Sequence, residues 1–367
     1  MTAATEIDPL SGFTVAITAD RRRDELSTLL QRRGARVVLV PALRIVPLAD
    51  DTELRLATLA CVEKRLDVVV ATTGIGLRGW LEAAEGWGLA EPLRTAIATS
   101  HLIARGPKAL GAIRAAGLVD CWSPGSESCD EMLDFLLDEG VRGQRIAVQL
   151  HGEPQPEFTA ALREAGAHVI EVPVYRWAPP LDPAPLRRLV DLIASRLVDA
   201  VTFTSAPAVG SLLRTAGPDA DVVLHALRTD VVAACVGPVT AAPLRRRGVP
   251  VVAPARARLG ALVRALVEEL PGRARTLRIA GTPVTLRGHA AVVDGRLRPL
   301  APAPMAVLRA LADNPGRVLS RAALLHALPR GADEHAVEMA VARLRAALGG
   351  TGYVQTVVKR GYRLRVD

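Results

Sequence analysis

The chain has 367 residues, half of them hydrophobic, with 46 Lys+Arg against 38 Asp+Glu and a net charge of +8. That length allows two or three domains, each with a sizeable core. The longest apolar runs, such as Val68-Val69-Val70-Ala71, are strand-length, which excludes a membrane-spanning helix. No basic stretch leads into an apolar core near Met1, so a cytoplasmic protein without a secretory signal is expected. The four cysteines (Cys61, Cys121, Cys129, Cys235) form no CxxC pair or Cys/His cluster and read as thiols in a reducing compartment, with no metal site. Residues 272–367 carry 16 Lys+Arg and 6 Asp+Glu, a net of +10, which leaves −2 for residues 1–271. A positive charge confined to one end points to a polyanion as that end's partner.

In chain order, residues 13–18 form an apolar strand and 24–33 a helix with Leu26, Leu29 and Leu30 on one face, ended by Gly34. Strands are expected at 37–40, 67–71, 95–98 and 143–149, with a helix running to Ala116. This βαβα rhythm predicts parallel sheets covered by helices. The rhythm is also duplicated. Gly34-Ala35-Arg36-Val37-Val38-Leu39-Val40-Pro41 returns as Gly166-Ala167-His168-Val169-Ile170-Glu171-Val172-Pro173, and Ala71-Thr72-Thr73 returns in the same register as Phe203-Thr204-Ser205. A duplicated unit implies two similar lobes with a cleft between them. The two copies of Pro-x-x-Arg-x-x-Pro, ending at Pro47 and Pro179, read as extended crossings, a two-strand hinge at 42–47 and 173–179. One lobe is then 48–172, and the other is assembled from 12–41 and 180–270.

Ligands of parallel sheets bind at the carboxyl ends of strands. The loops there are small and rich in hydroxyls. Thr72-Thr73-Gly74 and Thr204-Ser205-Ala206 follow strands, while Gly106-Pro107-Lys108 and Gly237-Pro238 with Thr240 open helices. Free N–H groups at helix starts, joined by hydroxyls, hold carboxylates or phosphates. Helix capping alone explains any one such loop. Four loops related by duplication point to a polyanionic ligand.

The last hundred residues differ. Residues 275–300 alternate as strands broken by Gly281, Gly288 and Gly295. Helices are expected at 305–312, 321–327 with Ser320 as N-cap, and 333–348. The last of these has a core face of Val337, Val341, Leu344 and Leu348, with His335, Met339, Ala342, Arg343 and Ala346 pointing away. A hairpin at 354–358 and 362–366 carries Lys359-Arg360-Gly361 at its tip.

Two resemblances follow from these residues. Gly106-Pro107-Lys108, Gly143-Gln144-Arg145-Ile146, Leu162 to Ala167, Val174-Tyr175-Arg176, Phe203-Thr204-Ser205 and Val236 to Ala241 occur in the order and spacing of uroporphyrinogen-III synthase over about 12–270. That resemblance implies a cofactor-free enzyme that closes hydroxymethylbilane with inversion of ring D. Substrate would be held largely by the backbone of the loops above, and Tyr175 would assist departure of the hydroxyl. The chain departs from the family at Thr18-Ala19-Asp20, Ile75 and His151-Gly152, where His151 could contact an acid group. Those departures predict weak or absent synthase activity. Asn314-Pro315-Gly316-Arg317-Val318-Leu319-Ser320-Arg321, the 337–348 pattern and Gly361-Tyr362-Arg363 resemble the winged-helix effector domain of bacterial response regulators of the OmpR type over about 272–367. This implies that helix 333–348 enters the major groove of duplex DNA, with Arg343 as the best base reader. His335, Met339, Arg345, Thr356, Lys359, Arg360 and Tyr362 complete the expected DNA-contacting set.

The expected architecture is therefore α/β: two similar parallel-sheet lobes plus a C-terminal α+β winged helix-turn-helix domain. The expected function is transcription regulation, with the synthase-like module standing where a receiver domain would, as a sensor of a tetrapyrrole or another polyanion or as a dock for a protein partner in transcription. A working synthase with an appended DNA-binding domain is the alternative.

Overall fold

The computed structural model describes residues 7–119, 121–125, 128–152, 154–328 and 333–366. Two compact units emerge, Arg44–Ala178 and the combination of Met1–Leu43 with Pro179–Asp367.

The larger unit opens with β1 (Thr14–Ile17), α1 (Arg23–Gln31) and β2 (Arg36–Leu39). The smaller unit follows. It contains β3 (Arg44–Pro47), α2 (Thr52–Glu63), β4 (Val68–Ala71), α3 (Gly74–Gly86), α4 (Ala90–Ala98), β5 (His101–Ala104), α5 (Pro107–Ala115), β6 (Cys121–Trp122), α6 (Cys129–Glu139), β7 (Arg145–Gln149), α7 (Pro156–Glu164), β8 (His168–Val172) and β9 (Tyr175–Ala178). Its five-stranded parallel sheet has the order β6-β5-β4-β7-β8. Strand β4 reads Val-Val-Val-Ala and is buried along its whole length, because helices cover both faces of the sheet. Strands β3 and β9 pair antiparallel as a separate ribbon, Arg44 opposite Ala178 and Pro47 opposite Tyr175.

One expected element is corrected. Residues 95–98 are the end of helix α4 rather than a strand, and the strand starts at His101. Leu93 and Ile97, four apart, are both fully buried on one helical face, and the Thr99 and Ser100 hydroxyls bond the carbonyls of Thr95 and Ile97 to close the last turn. A four-residue apolar run cannot by itself distinguish the two periods.

The chain then returns to the larger unit with α8 (Ala184–Ala194), β10 (Ala200–Phe203), α9 (Ala206–Ala216), α10 (Ala220–Thr229), β11 (Val232–Cys235), α11 (Pro238–Arg245), β12 (Val251–Val252) and α12 (Leu259–Gly272). Its parallel sheet has the order β12-β11-β10-β1-β2, the counterpart of the first sheet strand for strand. Strands β1 and β2 come from the start of the chain and complete a sheet made mostly by the second half.

The C-terminal part continues with a four-stranded antiparallel sheet, β13 (Arg275–Ile279), β14 (Thr282–Arg287), β15 (Ala290–Val293) and β16 (Arg296–Pro299). It turns at Gly281, Gly288 and Gly295, as the glycine spacing predicts. Helices α13 (Pro302–Asp313), α14 (Arg321–Ala327) and α15 (Glu334–Leu348) and the hairpin β17 (Val354–Val357) with β18 (Gly361–Leu364) complete it. One core joins them, including Leu308, Leu311, Leu324, Val337, Val341, Leu344, Val354 and Leu364. Gly361 has φ +130°, and a Cβ there would collide with the Leu319 carbonyl, which exchanges hydrogen bonds with Tyr362.

Candidate functional site

The expected ligand residues fall into two sets, each at the carboxyl ends of the central strands of its own sheet. In the smaller unit Thr72 is buried and its hydroxyl donates to the Gln149 carbonyl at 2.6 Å. Thr73 caps α3, accepting Gly76 N at 3.1 Å, and its own amide donates to Gln149 Oε1 at 3.0 Å. Its Oγ1 lies 3.2 Å from the hydroxyl of Tyr175, which is buried at the start of β9. The ribbon β3–β9 thus places the tyrosine hydroxyl against the first-repeat hydroxyl loop. Gly74 has no room for a Cβ, which would collide with the Lys108 carbonyl. Gly106 caps α5 and Pro107 is its first residue, with Lys108 exposed beside them.

His151 and Gly152 follow β7. Burial first, and the neighbouring Arg105 second, push the His151 imidazole down to about 3, so it is neutral at physiological pH. Its Nε2 sits 3.3 Å from the Arg105 guanidinium, and its ring meets Trp177 edge-on at 5.6 Å. A neutral imidazole accepts from a cation here, rather than binding an acid as a charged group. Gly152 has φ +93°, and a Cβ there would overlap the Trp177 ring.

In the larger unit Thr204, Ser205 and Ala206 are half-buried where β10 enters α9, and Ser205 is an N-cap without a side-chain capping bond. Gly237 and Pro238 open α11, with Thr240 buried in its first turn. The Thr18 hydroxyl, at the end of β1, donates to the Thr202 carbonyl.

Two residues of the smaller unit escaped the sequence reading. Gln149 is fully buried and ties Thr72 and Thr73 together. Its signal was a polar side chain closing an otherwise apolar strand. Arg105 follows β5 where the duplicated copy has Val236, and its described partners are the uncharged Cys129 sulfur and His151. Burial raises the Cys129 thiol, which keeps it uncharged. Among the described residues no His/Cys/Asp/Glu group could hold a metal ion.

The C-terminal surface is built from caps inward. Ser320 accepts Ala323 N at 3.1 Å, and Asp333 accepts Ala336 N at 2.8 Å, so α14 and α15 start where the sequence placed them. Val337, Val341, Leu344 and Leu348 are buried, and His335, Met339 and Arg343 are exposed on the opposite face of α15. Lys359 and Arg360 are exposed at the hairpin tip. Arg345 is turned inward. It donates to the Val354 carbonyl at 2.8 Å and to Thr356 Oγ1 at 2.8 Å, and lies over the Tyr362 ring. Arg345, Thr356 and the buried Tyr362 form a clasp that fixes the hairpin on α15. Arg343, Lys359 and Arg360 are exposed and have no ion-pair partner among the described residues.

Residues 24–264 match the family described as uroporphyrinogen-III synthase HemD. The chain belongs to the uroporphyrinogen-III synthase family. It is 34% identical over 258 residues to the uncharacterized protein YjjA of Bacillus subtilis, spanning 69% of this chain and 94% of that protein. It is 30% identical over 143 residues to a putative uroporphyrinogen-III synthase of Methanothermobacter thermautotrophicus, 39% of this chain and 56% of that one. A mutant uroporphyrinogen III synthase from the extremely thermophilic bacterium Thermus thermophilus is similar in structure, with a TM-score of 0.60 and 32% identity, covering 70% of this chain and all of that one. Beyond this synthase-family region, residues 295–364 match the family described as transcriptional regulatory protein, C terminal. The chain therefore carries a DNA-binding domain of the OmpR type. Among the described residues no helix is long and apolar enough to cross a membrane.

Proposed function

We propose that this protein regulates transcription by binding duplex DNA in the cytoplasm, with its synthase-family region acting as the sensor of a polycarboxylate of the tetrapyrrole class. The observation that carries the reading is the free cationic face of α15 and the hairpin tip, with Arg343, Lys359 and Arg360 exposed, on a chain whose other part belongs to a tetrapyrrole enzyme family. Phosphate contacts would come from Lys359 and Arg360, and base contacts from Arg343, with His335 and Met339 at the groove wall. Gel retardation of promoter fragments by the full chain tests it. Loss of retardation as salt rises is expected, and no retardation of any fragment at low salt refutes it.

A second reading, a bifunctional synthase, is favoured by one observation: the Tyr175 hydroxyl is retained 3.2 Å from Thr73 Oγ1 at a strand-end loop. Incubation with hydroxymethylbilane and separation of the uroporphyrin isomers decides it. Type III product that disappears in Tyr175→Phe supports synthase activity, and type I product alone excludes it.

A further inference from the structure

Within the larger unit the winged-helix domain is not hung on a flexible tether. Helix α12 packs Leu259, Leu262, Val263, Leu266 and Leu270 into the core of the β1–β10 sheet, and only Arg273 and Ala274 separate it from β13. The turn between β14 and β15 then presses against the segment leading into β1. His289 N donates to Gly12 O at 2.7 Å, and Arg287 Nε to Ser11 O at 2.9 Å, with Arg287 also reaching the carbonyls of Asp8 and Pro9. The Arg287 guanidinium lies over the Phe13 ring, 5.4 Å from its centroid. Gly288 and Gly12 meet so closely that a Cβ on Gly288 would strike the Gly12 carbonyl and crowd Asp199.

Asp199 is the centre of this contact. It is the residue before β10, and its side chain is 10% exposed. Its Oδ2 accepts Thr14 N, the first amide of β1, at 2.7 Å. The same carboxylate faces Arg309 of α13 at 3.6 Å and His289 Nε2 at 3.7 Å. Arg309 in turn donates to Gly288 O at 2.8 Å and to Arg196 O at 3.4 Å. One buried carboxylate therefore touches the amino ends of both central strands and the first helix of the DNA-binding domain. The opposite ends of those strands, about 13 Å away for a four-residue strand, bear Thr18 and the Thr204-Ser205-Ala206 loop. The carboxylate is buried, and the Gly288 and Arg196 carbonyls hold Arg309 beside it, so a shift of either strand is passed to Arg309. The recognition face of α15 takes no part in the contact, since His335, Met339 and Arg343 are exposed.

We propose that the winged-helix domain and the β1–β10 lobe form one cooperative body through this Asp199-centred joint, so that the lobe positions the DNA-binding helix and the docked state is the one that meets DNA. The proposal goes beyond the regulator reading and does not require that the ligand be a tetrapyrrole. Native-state hydrogen exchange on the full chain across a urea series tests it. In the wild type, amides of α13 and β14–β15 and amides of β1 and β10 are expected to lose protection together. In Arg309→Gln, which removes the cation without adding bulk, and in Gly288→Val, which wedges the contact, the α13 and β14–β15 amides are expected to open at lower urea while β1 and β10 hold. With a duplex bound that the wild type selects from a random library, slowing of exchange is expected at 13–15 and 199–201 as well as in 334–360, and Arg309→Gln should confine it to 334–360. A winged-helix domain that opens before β1 and β10 in the wild type overturns the joint, as does joint opening in both variants. Failure of the library to yield a duplex would count against DNA binding and leave the urea experiment to decide the joint.

Discussion

Replacing Asp199 by Asn should convert a flat stability profile into an acid-sensitive one. Burial raises the Asp199 carboxyl from 3.8 to about 6, against the opposing pull of Thr14 N and Arg309. Burial, with Arg309 and Arg36, lowers His289 from 6.5 to about 4, and its Nε2 has no hydrogen-bond partner among the described residues. The aspartate binds more protons folded than unfolded, so its contribution is fully present below its unfolded value and is lost as pH rises to 6. The histidine binds fewer protons folded, so its contribution is present above 6.5 and is lost as pH falls to 4. Each shift is about 2 units, or about 3 kcal/mol at 1.36 kcal/mol per unit, and the two slopes oppose each other between pH 4 and 6. The pair holds one proton across that window, whichever residue carries it. Nearby Asp230, although burial works against it, is held below its usual range by bonds from Thr229 and Arg196. Opening of the larger unit in the wild type should therefore change little from pH 6 to pH 4.5, while His151 makes the smaller unit lose stability over the same range. Asp199→Asn keeps an acceptor for Thr14 N and removes the aspartate's slope, leaving stability to fall by about 2–3 kcal/mol as pH drops from 6.5 toward 4. His289→Gln should do the reverse, losing stability as pH rises from 4 to 6. Urea unfolding at stepped pH, followed by exchange of the β1 and β10 amides, measures this. An Asp199→Asn profile as flat as the wild type would show that the two groups do not titrate against one another in the fold.

Other outcomes follow from the same contacts. Arg343→Ala should weaken specific DNA binding by about 1–3 kcal/mol and relax preference at one base pair, measured by anisotropy on single-base operator variants. Arg105→Met should weaken binding of uroporphyrin at least tenfold, about 1.4 kcal/mol, because the guanidinium's described partners are uncharged; calorimetric titration with unchanged affinity would remove Arg105 from the ligand set. Leu344→Ala, at a fully buried position of α15, should cost about 2–5 kcal/mol of winged-helix stability and abolish DNA binding through unfolding, seen by circular dichroism. Gln149→Leu should leave the Thr73 amide without its acceptor and destabilise the smaller unit by about 1–3 kcal/mol, read by Trp fluorescence in urea.

Elements with strong local signatures were legible in the residues alone. Ser320 and Asp333 fixed the starts of α14 and α15 because an N-cap is a contact within one turn. Gly281, Gly288 and Gly295 fixed the turns of the four-stranded sheet because each sits at positive φ. The core stripe of α15 followed from the helical period, and the strand-end loops followed from the duplication. Residues 95–98 were misread because a short apolar run is compatible with both periods until Leu93 and Ile97 are seen packed on one face. Contacts between distant residues came from the fold alone. Gln149 reaches across to Thr73, Arg105 to His151, and Arg345 turns inward to clasp Thr356 and Tyr362. Asp199, His289 and Arg309 are ordinary polar residues far apart in the chain, with no motif to join them. The shifted protonation of Asp199 and His289, and the hold of Asp199 on β1, arise from burial in the assembled fold, which no local pattern of residues encodes.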